Sequence, residues 1–301
     1  MSGRKRKMVA LTAAVAPKLD VNKHKNRRDL TLKKPIHSES AETDRSHYFT
    51  PKTDLQHRLG EGFFNQPCIT LAKELLGKVL ARTCADGTEL RGRIVETEAY
   101  LGGEDKASHS AGGKRTERNT AMFMKPGTIY VYPIYGIYLC MNVSSEGEGA
   151  AVLLRSLEPL QGLPTMKQLR SARRKEGARQ LKDKELCNGP SKLCQALDIP
   201  RCFDRRDLAS DPEVWLERDP NSDPADNKDI VSAPRVGIES HGEWAKKPWR
   251  FYLLGHPCVS VVNKEAERES LSGNVMNNLG PSDVESDRGQ RNVIRTSQEH
   301  H

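Results

Sequence analysis

The stretch Arg93-Ile94-Val95-Glu96-Thr97-Glu98-Ala99-Tyr100 sets two carboxylates and a phenol at every second position. In an extended strand, a period of two puts Glu96, Glu98 and Tyr100 on one side and Val95, Thr97 and Ala99 on the other. An ionised group buried without a partner is costly, so acids in this pattern either line a cleft or meet an arginine. Arg155, which interrupts the otherwise apolar run 150–157, is the natural partner. A carboxylate in a cleft could take a proton from water as a general base, whereas one locked to Arg155 would be a structural salt bridge. For Glu98 the residues alone leave both readings open.

A second group of side chains suits stacking. Four of the seven tyrosines, Tyr130, Tyr132, Tyr135 and Tyr138, fall within nine residues, a concentration of phenols that a core rarely holds and that a flat ligand would use. Pro133-Ile134-Tyr135-Gly136 supplies turn dihedrals between two alternating arms, so the run is expected to be a β-hairpin with Tyr135 at or near its tip. Aromatic wedges of this kind unstack base pairs from the minor groove; tyrosines packing on a sheet face are the competing reading.

The elements that must position these groups are concentrated in residues 63–198. An amphipathic helix over 70–77 has Thr70 as its cap and Gly77 at its end. Strands over 78–84 and 89–100 flank a hairpin signal at Ala85-Asp86-Gly87-Thr88, and a further strand covers 149–157. Helices are expected at 165–175 and 191–197, a surface loop at 219–229, and closing strands at 234–238 and 249–262. Strands joined through hairpins argue for an α+β fold, a curved antiparallel sheet with surrounding helices and a protruding β-hairpin. The expected organisation is a disordered basic tail (1–45), one domain (46–265) and a disordered C-terminal tail (266–301).

Charge divides the chain unevenly. Residues 1–50 hold 12 Lys/Arg against 5 acids, a net of +7, while the other 251 hold 36 against 35, a net of +1. The basicity belongs to the tail, where Arg4-Lys5-Arg6-Lys7 and Lys23-His24-Lys25-Asn26-Arg27-Arg28 read as a nuclear address or a nucleic-acid patch; mitochondrial import stays open as a second address. No run approaches membrane-spanning length. The seven cysteines contain no CxxC pair and read as free thiols of a reducing compartment. The nine histidines offer no HExxH or Cys/His spacing, so no metal is expected.

Several of these segments together carry a family pattern. Glu96-Thr97-Glu98-Ala99-Tyr100, Ser108-His109-Ser110, 122–128 (MFMKPGT), 130–136, Cys140-Met141-Asn142, Leu153-Leu154-Arg155 and 188–193 (NGPSKL) resemble the alkyladenine (3-methyladenine) DNA glycosylase family, vertebrate type, in order and at family spacing from about Tyr48 to Val262. The resemblance implies a monofunctional base-excision-repair enzyme that flips an alkylated or deaminated purine (3-methyladenine, 7-methylguanine, hypoxanthine, ethenoadenine) out of duplex DNA and hydrolyses its N-glycosidic bond. By the same resemblance Glu98 is the general base, with Arg155 and the main-chain carbonyl of Val236 holding the attacking water. Tyr100 and Tyr132 sandwich the base, His109, Asn142 and Ala151 complete its pocket, and Asn142 gates against guanine. Tyr135, Ile137 and Tyr138 enter the duplex, while Lys114 and Arg118 are phosphate contacts.

The implied partner is double-stranded DNA with a damaged purine. The resemblance implies no cofactor, no membrane association, a monomer and a nuclear setting among downstream repair proteins. Ile137 stands where a methionine usually follows the tip glycine, and Pro133 replaces an aliphatic residue. A lyase-type glycosylase would need an amine nucleophile, and no lysine is singled out for it. A non-catalytic damaged-DNA binder would use the same tyrosines without needing Glu98.

Deleting residues 1–45 is expected to flatten the salt dependence of non-specific DNA binding while leaving single-turnover excision nearly unchanged. Equal salt slopes for the two proteins would contradict it.

Overall fold

The computed structural model describes residues 57–219 and 229–278. The basic tail, the centre of the loop expected at 219–229 and the chain beyond 278 lie outside the described residues.

Asp86-Gly87 makes the first turn as its chemistry requires. The Asp86 carboxylate accepts the Thr88 N–H at 2.9 Å and Gly87 takes a φ of +82°. The turn joins β1 (Val79–Thr83) to β2 (Glu89–Tyr100) as an antiparallel pair. The aromatic run folds as β3 (Ile129–Ile134) and β4 (Tyr138–Ser144), and β5 (Ala151–Gln161) returns beside β4. Short strands β6 (Val214–Glu217), β7 (Ile230–Ala233) and β8 (Arg250–Leu253) complete an eight-stranded sheet of order β3-β4-β5-β2-β1-β6, with β8 carrying β7 onto β2. Every strand pair is antiparallel, as the α+β reading expects.

β2 organises the sheet because it is long enough to serve three neighbours. One edge pairs with β5 along residues 91–100, and the other is shared by β1 at residues 89–93 and β8 at 96–98. Its pairing with β5 is interrupted by compensating bulges: Val95 has no partner on β5, and Arg155 has none on β2. An extra residue bends a strand and re-aims the adjacent side chains. Here it breaks the strict alternation expected of β2, because both Ile94 and Val95 are fully buried in the main core.

Helices α1 (Glu61–Phe64), α2 (Cys68–Glu74), α3 (Leu163–Ser171), α4 (Pro190–Ala196), α5 (Glu243–Lys246) and α6 (Lys264–Asn278) surround the sheet. The main core joins Leu71, Ala72 and Leu75 of the α2 region and Leu193, Cys194 and Ala196 of α4 to Ile94, Val95, Val143 and Leu154 of the sheet. Among the described residues, no helix is long and apolar enough to cross a membrane.

Several boundaries differ from the sequence expectation. α2 starts at Cys68 rather than at a Thr70 cap, because Pro67 supplies the non-helical flank and its carbonyl accepts the Leu71 N–H at 2.9 Å. β7 ends at Ala233, before the strand expected at 234–238, since Pro234 has no N–H to continue a ladder. β8 stops at Leu253 instead of running to 262, where Gly255 at φ +66° and Pro257 turn the chain. The C-terminal tail expected to be disordered from 266 instead continues α6 to Asn278, with Ala266 buried against a small cluster that includes Val231 and Tyr252.

β3 is an edge strand. The backbone of its odd-numbered residues faces away from β4: the Ile129 N–H reaches the Arg206 carbonyl at 2.8 Å and the Val131 N–H the Asp204 carboxylate at 2.9 Å. Pro133 is next in that series, inside β3 and paired with Leu139, so the turn centres on Tyr135-Gly136 instead of starting at Pro133. Tyr135 and Gly136 have φ of 51° and 74°, the primed-turn conformation that suits strand twist.

Gly149, just before β5, has a φ of +70°, and a Cβ there would lie 2.7 Å from the Ser110 Cβ and 2.9 Å from the Phe123 ring. Gly149→Ala is expected to lower stability by about 2–4 kcal/mol, combining left-handed strain with overpacking, as read by urea unfolding; an unchanged midpoint would contradict the packing described.

Candidate active site

The carboxylates of β2 are both fully buried. Glu98 accepts the Val236 N–H on Oε1 at 2.7 Å and the Tyr100 hydroxyl on Oε2 at 2.8 Å, and Arg155 Nη1 stands 3.2 Å from Oε1. Glu96 Oε1 meets Arg155 Nε at 3.2 Å and Arg250 Nη1 at 2.9 Å, while Oε2 accepts the Ser260 N–H at 2.7 Å. Glu98 therefore pairs with Arg155 and also lines a cavity. Burial opposes the Arg155 charge, but Glu98 and Glu96 outweigh it and raise its pKa. Burial, then the charge of Glu98, pushes the Tyr100 phenol far above its ordinary range, so it stays a donor.

The cavity encloses about 620 Å³, within the range of sites that hold small organic ligands. Glu98, Tyr100, His109, Arg118, Tyr132, Tyr135, Asn142, Ala151, Arg155 and Val236 all line it. Strands supply most of them, the loop after Tyr100 supplies His109, the 3-10 helix Glu117–Phe123 that follows supplies Arg118, and the turn after β7 supplies Val236. Three expected residues do not line it: Lys114 is exposed on the loop, and Ile137 and Tyr138 stand beside the hairpin tip at 63% and 42% exposure. Tyr135 is 90% exposed, the most open large apolar side chain among the described residues.

One wall is a tyrosine stack. Tyr130 and Tyr132 lie 5.1 Å apart at 30°, and the His109 ring meets Tyr132 edge-on at 4.6 Å. Tyr130, two residues upstream on the same strand face, belongs to the clustered tyrosines but has no role in the family pattern; it holds the His109 imidazole through a 2.9 Å hydrogen bond to Nδ1. Desolvation pushes the Tyr130 phenol up to about 12. Asn142 is buried and donates from Nδ2 to the Tyr130 carbonyl at 3.0 Å, directly across the β3–β4 pair. Ala151, with almost no side chain, leaves room beside it at the start of β5.

The His109 loop is clamped from behind. Asn119, 1% exposed, donates to the carbonyls of His109 and Lys114 at 3.0 and 2.9 Å, and the Ser110 hydroxyl donates to the Gly149 carbonyl at 2.6 Å. Asp105 accepts the Ala107 N–H at 3.0 Å and forms a fully buried ion pair with Arg235. Arg235 also donates to the Ala99 carbonyl at 2.9 Å, and its guanidinium carbon lies 4.6 Å from the centre of the Tyr100 ring. It thus braces Tyr100 from outside the cavity and holds the chain just before Val236. Neither Asn119 nor Arg235 carried a sequence signal, because their partners are loop carbonyls and residues up to 136 positions away.

Arg118 lies over the Tyr132 ring with its guanidinium carbon 5.1 Å from the centroid. Among the described residues, neither it nor Lys114 forms an ion pair. His109 is exposed as a residue, yet its ring is enclosed by Tyr130 and Tyr132. Desolvation, with the Arg118 charge adding to it, lowers its pKa to about 4, so the imidazole is neutral at physiological pH. Asn119 and Tyr130 fix its position, and its remaining ring nitrogen is available to the cavity.

The arrangement offers a buried carboxylate with fixed donors on both oxygens, at one end of a slot with aromatic walls. Such a slot can hold a planar heterocycle, and the carboxylate can take a proton from a nucleophile beside it. Residues 62–257 match the family described as methylpurine-DNA glycosylase. The chain is 62% identical over 227 residues to a mouse (Mus musculus) protein named DNA-3-methyladenine glycosylase, covering 74% of this chain and 67% of that one. A human (Homo sapiens) protein of the same name is 61% identical over 229 residues, 75% of this chain and 76% of its own length. Another, from rat (Rattus norvegicus), is 61% identical over 227 residues, 74% and 70% of the two chains.

The NMR titration midpoint of His109 is expected well below 6.5, at about 4, and Arg118→Ala should move it upward by removing a neighbouring cation. A wild-type midpoint near 6.5 would contradict the enclosed ring.

Proposed function

This chain belongs to the methylpurine-DNA glycosylase family, and on that premise we propose that Glu98 is the general base with which it hydrolyses the N-glycosidic bond of a purine flipped out of duplex DNA. It is a DNA glycosylase of alkylated-base excision repair. The observation that carries the proposal is Glu98 itself, a fully buried carboxylate fixed by Val236, Tyr100 and Arg155 where it borders an aromatic-walled cavity.

Extruding a nucleotide costs a few kcal/mol. Tyr135 fills the space it leaves, and its 90% exposure at the tip of the hairpin suits a wedge. Ile137 and Tyr138 flank that wedge. The flipped base stacks on Tyr100 and Tyr132, at roughly 1–3 kcal/mol per aromatic face, so extrusion is offset most easily at a weakly paired, damaged purine. Stacking alone does not choose among 3-methyladenine, 7-methylguanine, hypoxanthine and ethenoadenine. Neutral His109 offers either a donor or an acceptor to the base edge. Asn142, held by Tyr130, closes the pocket floor beside Ala151 and disfavours the exocyclic amine of guanine; 7-methylguanine shares that amine, and its cationic ring, which leaves readily, offsets the poorer fit. Lys114 and Arg118 then meet phosphates, with Arg118 leaving the Tyr132 face to do so.

In the chemical step a water oxygen bonds to C1′ as the glycosidic C–N bond breaks. The bonding electrons leave with the base, and Glu98 takes a water proton. Its negative charge also favours the cationic sugar of the transition state. Arg155 and the Val236 main chain position the water. The nucleophile is water and no amine, so one product is an abasic site in an intact strand. The protein acts as a monomer in the nucleus, with the basic tail as its address and with other repair proteins consuming the product.

Single-turnover excision on a duplex with one central hypoxanthine is expected to yield strand cleavage only after alkali, without added metal. Glu98→Gln should lose at least about 10²-fold while binding is largely retained. Undiminished excision by the variant would refute the assignment of the base, excision by neither protein would leave a damaged-DNA binder, and a borohydride-trapped adduct would indicate a lyase.

A further inference from the structure

We propose that Glu96 and Arg250 are positioning residues for the hydrolysis, together setting how strongly Arg155 holds the catalytic carboxylate. The inference rests on the reading of Glu98 as the general base.

Four buried charged groups form an alternating line, Arg250, Glu96, Arg155, Glu98, drawn from β8, β2 and β5. Arg155 is shared: its Nε faces Glu96 Oε1 at 3.2 Å and its Nη1 faces Glu98 Oε1 at 3.2 Å. Glu96 is held on its other side by Arg250 at 2.9 Å and by the Ser260 N–H at 2.7 Å. Arg250, 2% exposed, is fixed in turn by the carbonyls of Pro234 and Val261, both at 2.7 Å. Arg250 also shares its β-ladder with Glu98, its direct Cα partner, so the outer pair is built into the strand that carries the base. None of this is needed to fold a sheet, since apolar residues of similar volume would pack there without the desolvation cost.

The consequence is electrostatic. An arginine bound to one carboxylate stabilises its anion and weakens it as a base; bound to two, it gives each less. Glu96 also places a like charge on the same strand as Glu98. Other groups bear on Glu98 as well: the Tyr100 hydroxyl from its own strand, and Tyr132 and Cys140 from the hairpin. His109, Arg118 and His241 share the cavity wall, and the Arg235–Asp105 pair lies behind Tyr100. Among the described residues, only Glu96 both repels a charge on Glu98 and competes for its arginine.

The test is the pH profile of single-turnover hypoxanthine excision for wild type, Glu96→Gln and the double variant Glu96→Gln/Arg250→Gln, each with its urea midpoint, beside Glu98→Gln. Glu96→Gln is expected to move the acid limb of the profile to lower pH by about one unit and to lower the plateau on the order of tenfold. The double variant removes one charge of each sign, so it should recover stability relative to Glu96→Gln, keeping the proposal testable if the single variant is poorly folded, yet retain the shifted limb. Stability losses with an unmoved acid limb in either folded variant would reduce Glu96 and Arg250 to structural groups and overturn the proposal. Full excision by Glu98→Gln would instead remove the reading on which it rests.

Discussion

The buried pairing of Arg155 with Glu98 is the contact on which the rest of the site depends. A carboxylate with no exposed surface, at the end of a mostly aromatic cavity, carries a large desolvation cost unless a cation meets it. The sheet meets this requirement through two bulges: Val95 is the extra residue on β2 and Arg155 the extra residue on β5. Because the two offsets cancel, the register recovers by Thr97 and Leu154, and the cost of the irregularity stays local. The core beneath is continuous, with Ile94 and Val95 both buried in it.

A second dependence runs through hydrogen-bonded phenols. Tyr100 and Tyr130 both stay protonated because burial disfavours the phenolate. Each therefore acts as a fixed donor or a neutral partner, Tyr100 to Glu98 and Tyr130 to His109. The aromatic walls thus carry little charge of their own, and the charge in the cavity is concentrated on Glu98, Arg155 and Arg118.

Much of this was legible in the chain. The period-two acids and Tyr100, the interrupting Arg155, the Asp86-Gly87 turn and the tyrosine hairpin all fell where short-range spacing placed them. The site residues taken from the family pattern mostly converge on one cavity, while Lys114, Ile137 and Tyr138 stand outside it. The unread parts are those that depend on distant partners. Arg250, Arg235 and Asp105 look like surface charges in sequence and become buried only because β7 and β8 fold back across β2. The β2 bulge carries no glycine or other local marker, and α6 gains its foothold from Ala266 against Tyr252, a contact invisible in a polar segment.

The hairpin edge has a further consequence. A protruding hairpin with Tyr135 bare at its tip and Tyr138 exposed beside it has the composition of a site for unwanted strand addition. On β3, however, the outward N–H groups of Ile129 and Val131 are already taken by residues 204 and 206, and at the next outward position Pro133 has no hydrogen to offer. A second chain approaching that edge finds no donor from which to begin a ladder. The protein can therefore keep a bare aromatic point in solution without that edge becoming a nucleus for self-association.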